Sequence, residues 1–279
     1  MLLSRTFRPG EDLAPYIRRY YIFEAELPDE MVIEDFLLSE TAFIRILLDG
    51  DWKGEVEPGV WDRPSDTLLF GANERPFPVR VKGSFKVLGI AIRPCGWKAL
   101  FPWPHHKFRD NLFPLSELWG DLATTMEAEL KAADGDDAII ACMEDTIRTR
   151  LAQVGTRETD DAMAQLEAIA RTDSKMLVEE VAARANLSTR QLERRCRDTF
   201  GLTPKAVLRR SRFLDMATAM RGFSSPSETD LAALRYFDQS HLNKEFKRFT
   251  RMTPKQFEKA VTPLQTAGLK LREESLYED

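Results

Sequence analysis

Cysteine is scarce in this 279-residue chain: Cys95, Cys142 and Cys196 stand far apart, with no CxxC pair. That spacing argues against a disulfide framework or a thiolate zinc site and leaves reduced, partly buried thiols. Histidine is as scarce, at three residues. His105 and His106 are adjacent in a Pro- and Trp-flanked loop and should point apart, short of the spaced ligands a barrel metal site needs. No apolar run approaches the roughly 18 residues of a membrane helix. The opening MLLSRTFRPGED brings its charges too early for a signal peptide. There is no phosphate-cradling Gly-rich loop, no GxSxG elbow and no paired-carboxylate motif above background. The expectation is a soluble cytoplasmic chain with no membrane partner, no catalytic residues, no metal and no cofactor.

Hydrophobic residues make up 43% and charged residues 30%, enough for a sizeable core under a polar surface. The net charge of −5 conceals an asymmetry. Residues 184–259 carry 17 basic and 8 acidic side chains, a surplus of +9, which leaves −14 on the rest. A basic block on an acidic body points to nucleic acid, or another acidic partner, for one end only.

Residues 1–112 read as a β-rich domain of barrel or cupin-like type. Short Ile-, Val-, Phe- and Tyr-rich runs at 17–24, 31–38, 43–48, 67–71, 79–82 and 85–93 are separated by Pro, Gly, Asp and Asn. All five tryptophans precede residue 120. Most are packing, and a fraction could line a ligand cavity whose residues the sequence does not single out. In 113–155 the pattern turns helical: Leu115, Leu118, Leu122, Met126 and Leu130, then Ile140, Met143, Ile147 and Leu151, recur at three- and four-residue spacing. These stripes pack on the β body or form a dimer seam, and the 115–130 helix is the expected homodimer contact. A polar linker near 152–160 leads to an all-α domain at 160–262 and a polar tail at 263–279.

That last domain repeats itself. VAARANLSTRQLERRCRDTFGLTPK from Val181 aligns without a gap on LAALRYFDQSHLNKEFKRFTRMTPK from Leu231, 50 residues later. Each copy reads as helix, tight turn, second helix. Ser188 and Asp238 occupy the position that caps the second helix. Leu192, Cys196 and Phe200 form its buried stripe. The opposite face carries Thr189, Arg190, Glu193, Arg194 and Arg197 in the first copy, and Gln239, Ser240, Asn243, Lys244 and Lys247 in the second. His241, at the start of the second reader helix, either contacts DNA or serves capping and packing. Two helix-turn-helix units joined by an arginine-rich helix describe a reader of double-stranded DNA, with Arg209, Arg210 and Arg212 as phosphate contacts.

LSTRQLERRCRDTFGLTP and FDQSHLNKEFKRFTRMTP resemble the two units of the AraC/XylS family of bacterial transcription regulators. Arg235 and Arg251 stand where that family usually has glycine, and Cys196 where it has a large aromatic. The resemblance implies an α+β chain: an N-terminal sensor with helices that binds a small-molecule effector or dimerises, and a C-terminal double reader acting with RNA polymerase. Pro94–Cys95–Gly96 looks like the reactive site of some DNA-repair alkyltransferases, but no histidine follows it, so a structural thiol is the better reading. Two alternatives come from other classes: a cupin-like enzyme fused to a DNA-binding tail, and a ligand-independent module acting on polymerase. Metal binding or turnover would favour the enzyme. The +9 block predicts DNA affinity that falls steeply with salt, because neutralising phosphates releases counterions. A gel-shift series at rising salt measures that slope, and a flat series would make the block a solvated face.

Overall fold

The computed structural model describes residues 2–224 and 239–274. Eight strands come first: β1 (Leu2–Phe7), β2 (Ile17–Ala25), β3 (Val32–Leu37), β4 (Phe43–Glu57), β5 (Val60–Asp62), β6 (Thr67–Phe70), β7 (Phe77–Ile92) and, after two short 3₁₀ turns and the helix α1 (Trp97–Leu100), β8 (Leu112–Pro114). They pair antiparallel in the order β1-β2-β7-β4-β6-β8, with β3 added to β7 and β5 to β4. The expected barrel thus takes the form of an antiparallel sheet with an open pairing path. Two expected strands, 79–82 and 85–93, are one. The chain passes through Gly83 at a φ of +67°, so the turn-like Gly-Ser pair interrupts the apolar pattern without ending the strand. Strand β1, whose Ser, Arg and Thr dilute the strand pattern, pairs with β2 from Leu2↔Ala25 to Phe7↔Tyr20.

The sheet is buried on both faces. Ile44 and Ile46 of β4 with Leu88, Ile90 and Ile92 of β7 face one side, and Leu47 with Phe85 and Val87 face the other. Period-two alternation gives that division. A bulge at Leu47/Asp49 then shifts the parity of β4, so Trp52 joins Leu47 on the same face.

The first face is covered by α2 (Ser116–Trp119), α3 (Asp121–Ala132) and α4 (Asp136–Val154). Leu115, Met126 and Leu130 pack there with Ile139, Met143, Ile147 and Leu151, and Leu122 lies against the same cluster. The apolar stripe expected to form a dimer seam is therefore consumed within its own domain. What α3 exposes is Asp121, Thr124, Thr125, Ala128, Glu129, Lys131 and Ala132.

The second half holds α5 (Asp161–Thr172), α6 (Val178–Arg184), α7 (Thr189–Phe200), α8 (Pro204–Met220), α9 (Gln239–Thr250), α10 (Pro254–Lys259) and α11 (Pro263–Glu274). The first helix of the second repeat, including Ala232, Arg235, Phe237 and the cap Asp238, lies outside the described residues. Helices α7 and α9 end at equivalent positions in left-handed backbone: Gly201 at φ +73° and Arg251 at φ +60°. Glycine adopts that conformation without a Cβ penalty, whereas Arg251 bears a cost of about 1–2 kcal/mol.

Of the expected polar tail at 263–279, residues 275–279 lie outside the described residues and residues 263–274 form the helix α11. Its N-terminal amides, Leu264 N–H and Gln265 N–H, donate to Asp35 Oδ2 on β3 at 2.7 and 3.2 Å. Leu264, Ala267 and Leu271 pack on the second face of the sheet with Phe23, Trp52 and Phe85, while Leu269 packs with Phe213 and Phe246. The last helix thus bridges the two halves.

Because Met126 is 1% exposed inside its own domain, Met126→Ala should cost about 2–5 kcal/mol in urea unfolding. Charges placed at Leu122 and Met126 should unfold the chain. A folded, soluble monomer would restore the dimer-seam reading.

Candidate nucleic-acid interface and its sensor contact

Local chemistry fixes α7. The turn before it passes through Asn186 at φ +53°. Ser188 and Gln191 then close a capping box, Gln191 N–H donating to Ser188 Oγ at 3.3 Å and Ser188 N–H to Gln191 Oε1 at 2.9 Å. Leu192, Cys196 and Phe200 are buried with Val181 and Ala182 of α6. Thr189, Arg190, Glu193, Arg194 and Arg197 are all exposed on the opposite side. Arg197 Nη2 donates to Glu193 Oε1 at 3.3 Å, one turn back, so the glutamate orients an arginine.

In the second unit, Phe246 and Phe249 of α9 are buried against Phe213 of α8. Ser240, Lys244 and Lys247 are exposed and Asn243 half-buried. The side chains of Gln239 and His241 lie outside the described residues.

The connecting helix needs a correction. Arg210 is 2% exposed and donates to the backbone carbonyls of Asn73, at 3.3 Å, and Glu40. Burial lowers its pKa to about 10. It ties α8 to the sheet domain and does not reach a phosphate in this arrangement. Arg209 is half-buried, 3.7 Å from Glu245 of α9, and Arg212 is half-buried as well. The Arg-Arg-Ser-Arg run reads as one basic patch, but successive helical residues point 100° apart, so Arg209 and Arg210 serve different neighbours.

The sheet domain meets the helical half at the C-terminal end of α7. His105 Nε2 accepts from Ala72 N–H at 3.1 Å, which leaves Nδ1–H to donate to Thr199 O at 2.7 Å. The ring stacks on Trp97, centroids 3.8 Å apart. A Cβ at Gly201 would lie 3.1 Å from both His105 Cδ2 and Ala72 Cβ, so glycine also permits this close approach. Beside the contact, His106 Nδ1 lies 3.6 Å from Asp198. His106 and Arg109 share with Arg190, Arg194 and Arg197 an open groove of about 630 Å³. Among the described residues, no cluster of three His, Cys, Asp or Glu side chains could hold a metal. Cys95 is buried, its Sγ 3.5 Å from Pro15 O, and burial pushes the thiol up to about 12, which suits a structural role.

A second feature escaped the sequence. Between the sheet and α11 lies a cavity of about 110 Å³, lined by Arg19, Phe23, Arg45, Trp52, Leu264 and Leu269 among others. Its one sequence signal was an arginine in the strand FIRILL, at a position sharing a face with Phe43 and Leu47.

A helix-turn-helix unit, with the second helix of its repeat, beside an antiparallel-sheet domain is the architecture of a DNA-binding transcription regulator. Residues 181–260 match the family described as a helix-turn-helix domain, spanning both units, and residues 5–114 match a domain of unknown function (DUF6597). No curated protein matches the sequence. Among solved structures, ToxT from Vibrio cholerae is similar over 92% of this chain and 97% of its own, at 10% identity and a TM-score of 0.47. ToxT from Vibrio cholerae O395 bound to (E)-4-(8-methylnaphthalen-1-yl)but-3-enoic acid is similar over 91% and 98%, at 12% identity and 0.47. The AraC-like transcriptional activator CuxR is similar over 77% and 95%, at 11% and 0.25. Over residues 181–260 the chain therefore carries a helix-turn-helix domain of the matched family. Among the described residues, no helix is long and apolar enough to cross a membrane.

Burial lowers His105 to about 3, and the positive charge of Arg210 adds to that, against the opposing Thr199 carbonyl. The unfolded chain therefore binds this proton first, near pH 6.5, while the folded chain stays neutral. His105 contributes stability that is present above pH 6.5 and lost as pH falls toward 3. Between pH 6.5 and 5 the wild type should lose about 1–2 kcal/mol relative to His105→Gln in paired denaturation curves. Parallel curves would place the imidazole in water.

Proposed function

We propose that the chain regulates transcription by binding double-stranded DNA through α7 and α9, with the sheet domain sensing a small molecule and the intact protein acting as a homodimer with RNA polymerase. The observation that carries this reading is the polarity of α7: five long or hydroxyl-bearing side chains outward on a capped helix, with its apolar stripe buried behind them. The spacing of that exposed face suits a helix lying in a major groove.

The two readers differ in chemistry. Arg190 and Arg194 present planar forks that match the O6 and N7 acceptors of guanine. Ser240, Asn243 and Lys244, with Gln239, suit adenine, water-mediated contact or phosphate. On one chain the two helices enter successive major grooves on the same DNA face, roughly 10 base pairs apart. A guanine-containing element lies under α7 and a more tolerant one under α9. Lys247, Arg209 and Arg212 hold phosphates. Dimerisation uses a surface other than the apolar stripe of α3.

Selection from randomised DNA tests the assignment. Arg194→Ala should cost about 1–3 kcal/mol and relax one or two base pairs of the motif. Lys247→Ala should weaken all sequences evenly. Equal sharpness in both elements, or an unchanged motif with Arg194→Ala, would overturn the assignment.

A further inference from the structure

The molecule pairs two of its buried arginines with carboxylates. Arg18 meets Glu40 and Glu167, and Arg272 meets Glu40 and Asp215. Arg45 and Arg19 are treated differently. Arg45 is 3% exposed, and its Nε and Nη1 have no hydrogen-bond partner. Its guanidinium touches ring faces instead, 4.7 Å from the centroid of Trp52 and 5.0 Å from that of Phe70. No carboxylate pairs with it among the described residues. Burial drives its pKa down to about 9. Arg19 is buried beside it on the lining of the same cavity, its Nε unpartnered and its Nη1 donating only to the carbonyl of Leu271 in α11. Glu40 acts on Arg19 and Asp66 on Arg45 only at a distance, with no carboxylate in direct contact. Two buried cations without a directly paired carboxylate are costly to fold around, and a bound anion would reduce that cost.

The backbone makes room for this arrangement. Gly89 pairs with Tyr21 on one side and Arg45 on the other, and a Cβ there would fall 1.9 Å from the Tyr21 ring. The remaining lining is mostly apolar, from Phe23, Phe43, Trp52, Leu264 and Leu269. At about 110 Å³ the space is of the order of a dry cavity that admits benzene, roughly 150 Å³. One ring or a short branched chain fits; a long chain does not.

We propose that this cavity binds a small monocarboxylate with an apolar, ring-sized body, its carboxylate held by Arg45 and Arg19 and its body against Phe23, Trp52 and Leu264. The inference deepens the sensor part of the proposed function and rests on it. A carboxylate accepting from Arg19 competes with the carbonyl of Leu271, so occupancy acts on α11, the helix whose Leu269 and Arg272 engage the reader half. Effector and DNA then share one element whose seating each can bias.

Trp52 lines the cavity, so tryptophan fluorescence of the full chain reports the site. The probes are benzoate, phenylacetate and 3-methylbutanoate, with benzamide, decanoate and inorganic phosphate as controls. At least one probe should give a saturable change that Trp52→Phe removes, with each control at least tenfold weaker. Arg45→Met should abolish the response while thermal stability holds or rises, because a buried uncompensated charge has been removed. Gly268→Leu should weaken it too: Gly268 is an exposed part of the lining where a Cβ meets nothing within 4 Å. Should Arg45→Met fail to fold, Arg45→Lys keeps the charge without the fork and should bind at least tenfold more weakly. A control matching the best probe overturns the inference, as does an Arg45→Met chain that is less stable yet responds unchanged. Gel shifts on the same samples separate the two readings. If no probe binds while DNA is still shifted, the carboxylate site falls and the regulator stands. If a probe binds and no DNA is shifted, the regulator falls.

Discussion

Glu40, in the loop between β3 and β4, accepts from Arg18 at 2.6 Å and from Arg272 at 3.1 Å, and its own backbone carbonyl accepts from Arg210. Arg18 continues to Glu167 on α5, and Arg272 to Asp215 on α8 at 2.6 Å. The sheet, the first and fourth helices of the reader half and the last helix of the chain therefore meet at one buried cluster of charges. Burial opposes a charged Glu40, but Arg272, Arg18 and Arg171 outweigh it and hold its carboxyl well below the usual carboxylate range. Such a cluster is unforgiving: removing one partner strands a buried charge, at a cost of about 3–5 kcal/mol. It makes the docking of the two halves specific where apolar packing alone would tolerate sliding.

That docking sets the stage on which the readers work. Helix α7 is held at its C-terminal end by His105, and α9 is held through α8 by the Phe213, Phe246 and Phe249 cluster and by Glu245 near Arg209. The two reader helices are thus positioned by different neighbours. A change in how α11 sits on the sheet reaches α8 and α9 through Leu269 and Arg272. A change at the 105–109 turn reaches α7 directly. The sheet domain and α11 accordingly touch the two reader helices through separate contacts.

The repeated units have also diverged in ways that packing explains. Cys196 takes a place that Phe246 fills in the second copy. Cys196 packs in a cluster with Leu166, Ile169 and Val181, whereas Phe246 joins Phe36, Phe213, Phe249 and Phe257. A small thiol suffices where aliphatic neighbours close in, and a ring is needed where the surrounding pocket is aromatic. Arg251 accepts the left-handed backbone that Gly201 takes freely, and it points toward Glu55 of the sheet at 3.7 Å.

Local chemistry was legible before any coordinates. The capping box at Ser188, the stripe of Leu192, Cys196 and Phe200, the gapless duplication and most strands of the sheet follow from spacing within a few residues, because helix and strand periodicity are properties of neighbouring positions. The faces of α7 were readable for the same reason. What only the tertiary structure decided is which apolar or charged groups are used twice. The stripe of α3 could serve a partner or its own domain, and the sheet claimed it. Arg210 reads as a surface cation until its neighbours Asn73 and Glu40 are known. Helix α11 has too few apolar residues to announce itself, yet it roofs the cavity, and its Arg272 closes a contact with Glu40 across 232 residues. No local pattern encodes a pairing of that range: buried charges find their partners through the fold, and the cavity around Arg45 exists only once sheet and last helix are brought together.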